Sequence, residues 1–257
     1  METKNYYWFW KSALTPEQCQ KIIDLGDGII TSDQKAGFDT TAIIGNDEPE
    51  VIADVNKTKL FKIRKCDIAW FTDQWVYDLI HPYVQQANMK AGWNYDWDFS
   101  EAFQYTVYPE GGFYGWHTDQ GMSCNFGKYN FDFHDYDAHR RQNKAAATNS
   151  TIAPCIIQNP VDNPNLHHKI RKLSVTLTLS EPDEYTGGNL EFDLDKSFRN
   201  PDGTYSTKSE GFRHELTVIR PQGSIVVFPS YAWHQIKEIT SGTRKSLVLW
   251  SCGNPYR

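Results

Sequence analysis

The hydrophobic period changes part-way along the chain. In the first hundred residues apolar side chains recur at helical spacing. "LTPEQCQKIIDLGDG" sets Ile22, Ile23 and Leu25 behind a start signal. Thr15 can cap the helix, Pro16 suits its first position and Gln18 completes a capping box. Gly26 or Gly28 is the expected stop. "TDQWVYDLIHPYVQQANMKAG" repeats Trp75, Leu79, Tyr83 and Ala87 four apart, which predicts a second helix kinked or broken at Pro82. Between the two, "KIRKCDIAWF" predicts a strand.

From about Glu101 the period drops to two. "EAFQYTVYP" puts Phe103, Tyr105 and Val107 on one face. "KLSVTLTLS" puts Leu173, Val175, Leu177 and Leu179 on one face and Ser174, Thr176 and Thr178 on the other. "NLEFDL", "HELTVIRP", "SIVVFP" and "RKSLVLW" continue the series, with turns expected at "TGG", "NPDG", "PQG" and "TSG". Many short strands joined by turns predict a mainly β fold, a sandwich or jelly roll. The expected layout is a double-stranded β-helix over residues 101–257, with a helical or mixed support region over residues 1–100.

One stretch, about 121–169, has almost no periodicity and is expected to be an insertion. Its aromatics alternate with Asp and Arg, which suits a binding lid. His134, His139, His167 and His168 fall in it, in a polar and irregular context that predicts solvated loop histidines. Composition narrows the class. Nine Trp, fourteen Tyr and fourteen Phe are enough for a sizeable core, and Trp70, Trp75, Trp93 and Trp97 are expected in it. The formal net charge of −6 and the lack of a long basic run argue against nucleic acid as the main partner. Five scattered cysteines without a C-x-x-C pair predict reduced thiols in a cytoplasmic protein. The start "METKNYYWFW" lacks a signal-peptide pattern, and no segment is apolar for long enough to span a bilayer.

Candidate chemistry begins in "YPEGGFYGWHTDQ". His117 and Asp119 are two apart, so on a strand they share a face. Alone they could be a metal site or a polar edge. "VVFPSYAWHQI" adds His234, which makes a possible 2-His-1-carboxylate set that leaves coordination positions open on Fe(II). Arg244 follows ten residues on, at the start of "RKSLVLW", where its planar fork could hold a carboxylate; Ser246 shares its face.

The segments "QYTVYPEGGFYGWHTD", "LSVTLTLSEPDEYTGGNLEF", "PQGSIVVFPSYAWHQI" and "GTRKSLVLW" together resemble the Fe(II)- and 2-oxoglutarate-dependent dioxygenases. They are most similar to the prolyl-4-hydroxylase-like branch and its PKHD-type hydroxylases. The resemblance covers roughly residues 101–252 and keeps the motifs in order. It implies that His117, Asp119 and His234 bind iron and serve catalysis. It implies that Arg244 holds the C5 carboxylate of 2-oxoglutarate, with Tyr108 and Thr178 as further contacts. It places Arg171 near the substrate opening, and Trp250 is expected at the pocket floor. The implied cofactors are Fe(II), 2-oxoglutarate and O2, with ascorbate as a further reductant. The implied reaction is hydroxylation of a prolyl or other residue in a peptide or protein, and similar chains occur in bacteria and their phages. Two departures stand out: Asn189 replaces the Glu usual after the Gly pair, and the 121–169 insertion is long. The rival readings are a non-redox, cupin-like metal-binding module and a nucleic-acid demethylase of the same cofactor class. The first gives no reason for Arg244; the second needs a basic face.

Overall fold

A computed structural model describes residues 5–31, 64–120, 169–194 and 213–254. Its elements in chain order are β1 (Trp8–Trp10), α1 (Pro16–Thr31), β2 (Arg64–Lys65), β3 (Asp67–Phe71), α2 (Gln74–Lys90), β4 (Phe99–Ser100), β5 (Phe103–Tyr108), β6 (Phe113–His117) and β7 (Ile170–Thr178). There follow β8 (Tyr185–Gly187), β9 (Leu190–Asp193), β10 (Arg213–Glu215), β11 (Ile225–Pro229), β12 (Trp233–Ile236), β13 (Ile239–Gly242) and β14 (Arg244–Gly253). The larger sheet runs β1-β11-β7-β14-β5-β3, with β4 added beside β14, and the smaller runs β10-β9-β12-β6-β2. All pairings among the described residues are antiparallel, as the jelly-roll reading requires.

The alternation in the sequence becomes two cores, one on each face of the larger sheet. Leu173, Val175, Leu177 and Leu179 meet Ile22 of α1 and Ile80 and Val84 of α2, together with Phe103, Tyr105, Leu247 and Leu249. Strand β11 splits its side chains: Ile225 and Val227 join this helix-facing core, while Val226 and Phe228 join a second core between the sheets. That second core holds Leu190, Phe192, Ile236 and Tyr108. The predicted polar set Ser174, Thr176 and Thr178 is buried too, on the face that looks toward the smaller sheet.

The helix start is as predicted. The Thr15 backbone N–H donates to Gln18 Oε1 (2.9 Å), and the Gln18 N–H donates back to Thr15 Oγ1 (3.3 Å). The stop is not. α1 continues through Gly26 and Gly28 to Thr31. Gly26 serves packing: a Cβ there would overlap the Tyr105 ring. α2 also differs from expectation, running unbroken through Pro82. Pro82 and Asp78, whose carbonyl loses its intrahelical partner, are both exposed, so water can satisfy that carbonyl. The buried positions of α2 are Val76, Ile80, Val84 and Ala87, while Trp75, Leu79 and Tyr83 flank the core. "KIRKCDIAWF" is not one strand. Arg64 and Lys65 pair with β6, and from Asp67 the chain pairs with β5 in the other sheet. "HELTVIRP" is a three-residue strand followed by a 3-10 turn, Thr217–Ile219.

Cys19, Cys66 and Cys252 are buried free thiols; Cys124 and Cys155 lie outside the described residues. The same holds for the expected lid at 121–168 and the four histidines in it. Among the described residues no helix is long and apolar enough to cross a membrane.

The two glycines of α1 have opposite expected effects. Gly28 is exposed with open space around its missing Cβ, so Gly28→Ala stabilises by about 0.5–1 kcal/mol. Gly26→Ala forces its Cβ against Tyr105, which is fully buried and donates its hydroxyl to Asp27 Oδ1 at 2.7 Å. Overpacking of this kind costs about 1–3 kcal/mol. Urea denaturation of both variants reads the two signs; equal signs would mean that Tyr105 does not pack against α1.

Candidate active site

The two histidines face each other across a strand pair. In the β12–β6 ladder His234 lies opposite His117, and the register shifts between His234 and Ile236. Their rings are 4.2 Å apart between centroids. Asp119 sits two residues beyond the end of β6. Its Oδ1 is 3.7 Å from His117 Nε2 and its Oδ2 is 3.6 Å from His234 Nε2. The three ligand atoms lie within 4.8 Å of one another, and all three residues are buried. They are the only such cluster among the described residues.

The ring orientation suits a cation. His117 Nδ1 lies 2.7 Å from the Gly115 carbonyl and His234 Nδ1 lies 2.9 Å from the Ala232 carbonyl. A carbonyl only accepts, so each Nδ1 carries a proton and each Nε2, turned toward Asp119, is the atom placed to bind a metal. Burial holds His117 well below the ordinary imidazole value, with His234 adding to the effect. Burial works against ionisation of Asp119, yet the attraction of His234, His117 and Arg171 prevails and its carboxyl sits below the usual range. One carboxylate and two imidazole nitrogens form a donor set that fits a divalent iron. Around it, Tyr114 stacks on His117 with centroids 3.6 Å apart, and Phe228 meets His234 edge-on at 4.8 Å.

A cavity opens from this cluster. His117, Asp119 and His234 line it from one side. Gln104, Thr176, Ser246, Val248 and Trp250 line it from the larger sheet. Tyr108 also lines it, and burial pushes its hydroxyl up to about 12, so it stays protonated and can donate. Arg244 is the Cα partner of Tyr108 and is 2% exposed. Its guanidinium donates from Nη1 to Ser246 Oγ (3.2 Å) and lies 5.5 Å from the Tyr108 ring centroid. Among the described residues no carboxylate is within ion-pair distance of it. A buried guanidinium in that state is costly unless an anion completes it, and a ligand carboxylate would. Gly188 makes room: a Cβ there would sit 3.2 Å from Arg244 Cδ.

Thr178 shares the inward face but does not line the cavity. Its hydroxyl donates to the Ile219 carbonyl at 2.9 Å, and Thr176 lines the cavity instead. Trp250 is in the wall, with its indole N–H buried and unpartnered among the described residues. Arg171 stacks over Trp250, 3.9 Å from the ring centroid, and pairs with Glu101. Sequence reasoning missed Arg64, Gln104 and Glu101. Gln104 had a signal, since it shares strand parity with Tyr108. Arg64 had none. It reaches the cavity by donating to Cys66 Sγ (2.8 Å) and Gln104 Oε1 (2.6 Å), with its guanidinium 4.5 Å from the Tyr114 ring centroid.

The sequence model of the 2OG-Fe(II) oxygenase superfamily matches residues 103–252. Among curated proteins, a PKHD-type hydroxylase of Acinetobacter baumannii is 40% identical over 78 residues, which is 30% of this chain and 27% of that protein. A PKHD-type hydroxylase of Prochlorococcus marinus is 33% identical over 90 residues, 35% of this chain and 33% of that protein. The chain thus spans about a third or less of the length of the curated relatives it matches. Two solved structures share the fold at low identity. The viral collagen prolyl hydroxylase of Paramecium Bursaria Chlorella virus-1 is 14% identical with a TM-score of 0.53, covering 97% of both chains. A prolyl hydroxylase of Trichoplax adhaerens, solved with a hypoxia inducible factor peptide fragment, is 13% identical with a TM-score of 0.52, covering 96% of this chain and 84% of its own. The family match takes in more than half of the chain, including His117, Asp119, His234 and Arg244. The chain therefore belongs to the 2OG-Fe(II) oxygenase superfamily, which implies Fe(II), 2-oxoglutarate and O2 as its cofactors.

Proposed function

We propose that this protein is an Fe(II)- and 2-oxoglutarate-dependent hydroxylase of a prolyl residue in a peptide or protein. The observation that carries the reading is a pairing of two features, the first lining the cavity and the second set behind two residues of its wall, Ser246 and Tyr108. One is the buried His117–Asp119–His234 cluster. The other is the buried Arg244 guanidinium with no carboxylate partner among the described residues. A metal-only module would need the first and not the second.

The roles follow from the atoms. His117 and His234 would present Nε2, and Asp119 a carboxylate oxygen, to the iron. With 2-oxoglutarate and O2, that iron would supply the oxidising power that turns a substrate C–H into C–OH while 2-oxoglutarate leaves as succinate and CO2. Arg244 would anchor the far carboxylate of 2-oxoglutarate through its fork, and the Tyr108 hydroxyl would donate to the same ligand. Ser246 and Thr176 offer hydroxyls along the same wall. Phe228, Tyr114 and Leu190 keep the cluster dry. The Trp250 indole N–H, unpartnered and in the wall, would donate to a substrate acceptor such as a peptide carbonyl. α1 and α2 act as the support, covering the outer face of the sheet whose inner face forms the pocket. Buried free thiols at Cys19, Cys66 and Cys252 favour a reducing compartment, the cytoplasm. The prolyl assignment draws on the relatives, which include prolyl hydroxylases and one structure solved with a peptide.

The decisive experiment offers Fe(II), 2-oxoglutarate and a panel of proline-containing peptides, and follows succinate and peptide mass. The expected result is succinate formation stimulated by some peptides, each gaining one oxygen. No 2-oxoglutarate turnover in any arm would reject the oxygenase, and stimulation by single-stranded DNA alone would favour the demethylase.

Asp119→Ala should abolish tight Fe(II) or Mn(II) binding in calorimetry while the thermal melt persists; unchanged metal affinity would reject the cluster as the metal site. Arg244→Ala removes a charge-assisted contact worth about 1.5–3 kcal/mol. The 2-oxoglutarate requirement should therefore rise about 10- to 150-fold, with Arg244→Lys intermediate because it keeps the charge and loses the fork. An unchanged requirement would place the anchor elsewhere.

A further inference from the structure

Asp119 lies outside the β6 ladder, so no strand pairing fixes its backbone. Three contacts fix it instead. The Gln120 backbone N–H donates to the Ser230 carbonyl at 2.7 Å, and the Gln120 side-chain amide donates to the Arg171 carbonyl at 3.3 Å. Arg171 Nη1 then donates to the carbonyl oxygen of Asp119 itself, at 3.3 Å.

Arg171 is held in turn by two residues, Glu101 and Trp250. Nε donates to Glu101 Oε1 at 2.6 Å and Nη2 to Glu101 Oε2 at 2.7 Å, a two-pronged pairing that fixes the plane of the guanidinium. One flat face of that plane lies on Trp250. The Cys252 thiol, on the residue opposite Arg171 across the β7–β14 ladder, donates to Glu101 Oε1 at 3.4 Å. The side chains of Arg171 and Glu101 are 22% and 11% exposed.

From this geometry we propose that Arg171 is a positioning residue. Clamped by Glu101 and laid on Trp250, it holds the backbone of Asp119 so that the carboxylate faces the two imidazoles, and it fixes the Trp250 wall of the cavity. This is a role within the protein rather than a contact made to the substrate. It rests on the reading of His117, Asp119 and His234 as a metal site. The three directions used, two to Glu101 and one to Asp119, need the planar fork. A lysine ammonium, a single point on a flexible stem, cannot serve Glu101 and Asp119 while lying flat on an indole.

The test measures Mn(II) affinity by calorimetry and the visible absorption of the Co(II)-loaded protein, using the full chain. Parent protein, Arg171→Met, Arg171→Lys and Glu101→Gln are compared, with thermal melts as the fold control. Groups that orient metal ligands typically change affinity by about 10- to 100-fold. Arg171→Met is expected to fall in that range and to shift the Co(II) bands. Arg171→Lys should recover part of the loss, and Glu101→Gln should weaken binding less than Arg171→Met because its amide oxygen still accepts one bond. Unchanged Mn(II) affinity and an unchanged Co(II) spectrum in Arg171→Met, with only the peptide KM raised, would overturn the proposal and make Arg171 a substrate contact. If Arg171→Met fails to fold, Glu101→Gln decides: unchanged Mn(II) affinity there also overturns it. Absence of Mn(II) binding by the parent protein is a separate outcome, and it rejects the metal site itself.

Discussion

Leu173, Val175, Leu177 and Leu179 on β7, with Leu247 and Leu249 on β14, are sealed by α1 and α2, and the rest of the molecule depends on this apolar contact. A fully buried aliphatic side chain contributes about 1.5–3 kcal/mol relative to an exposed one. A buried hydroxyl or amide left without a partner costs about 1–3 kcal/mol. The outer face therefore outweighs a limited number of imperfect polar groups on the inner face. That margin lets the same strands present Thr176, Ser246 and Gln104 toward a cavity. The helices hold up the site without touching it.

The His117–Asp119–His234 cluster uses strand geometry for two of its members and a loop for the third. His117 and His234 meet because their strands are paired in one register, and a one-residue slip would turn one of them out of the cavity. Asp119 keeps the strand parity of His117 after the strand itself has ended. Its position therefore rests on side-chain and loop contacts, from Gln120 and Arg171, that the ladder does not provide.

Two arginines, one half-buried and one buried, show how surroundings assign a role. Arg171 is matched by Glu101 through two short bonds, and its charge is settled within the protein. Arg244 donates to one serine hydroxyl and meets a tyrosine ring, with no carboxylate beside it among the described residues. Both sit on adjacent strands of the larger sheet, β7 and β14. The difference is what the facing elements bring: Glu101 precedes β5 and reaches Arg171, whereas Gly188, with no side chain, stands next to Arg244.

Local chemistry alone determined much of this. Thr15, Pro16 and Gln18 specified where α1 starts, because capping involves only neighbours in sequence. The period-two pattern of "KLSVTLTLS" specified a strand with one aliphatic and one polar face, and the spacing of His117 and Asp119 put both on one side. It could not reveal that the polar face was the pocket wall, because both faces are buried and only the second sheet makes one of them a cavity. It also could not show that Gly26 serves the close approach of the Tyr105 ring rather than the end of α1, nor that α2 stays helical through Pro82, where water can satisfy the exposed Asp78 carbonyl. Arg64 and Glu101 carry no periodic signature, since their partners Gln104 and Arg171 lie 40 and 70 residues away. Spacing along a chain sets which way a side chain points. Which charge it meets is decided by segments remote in sequence, and only the folded structure brings those together.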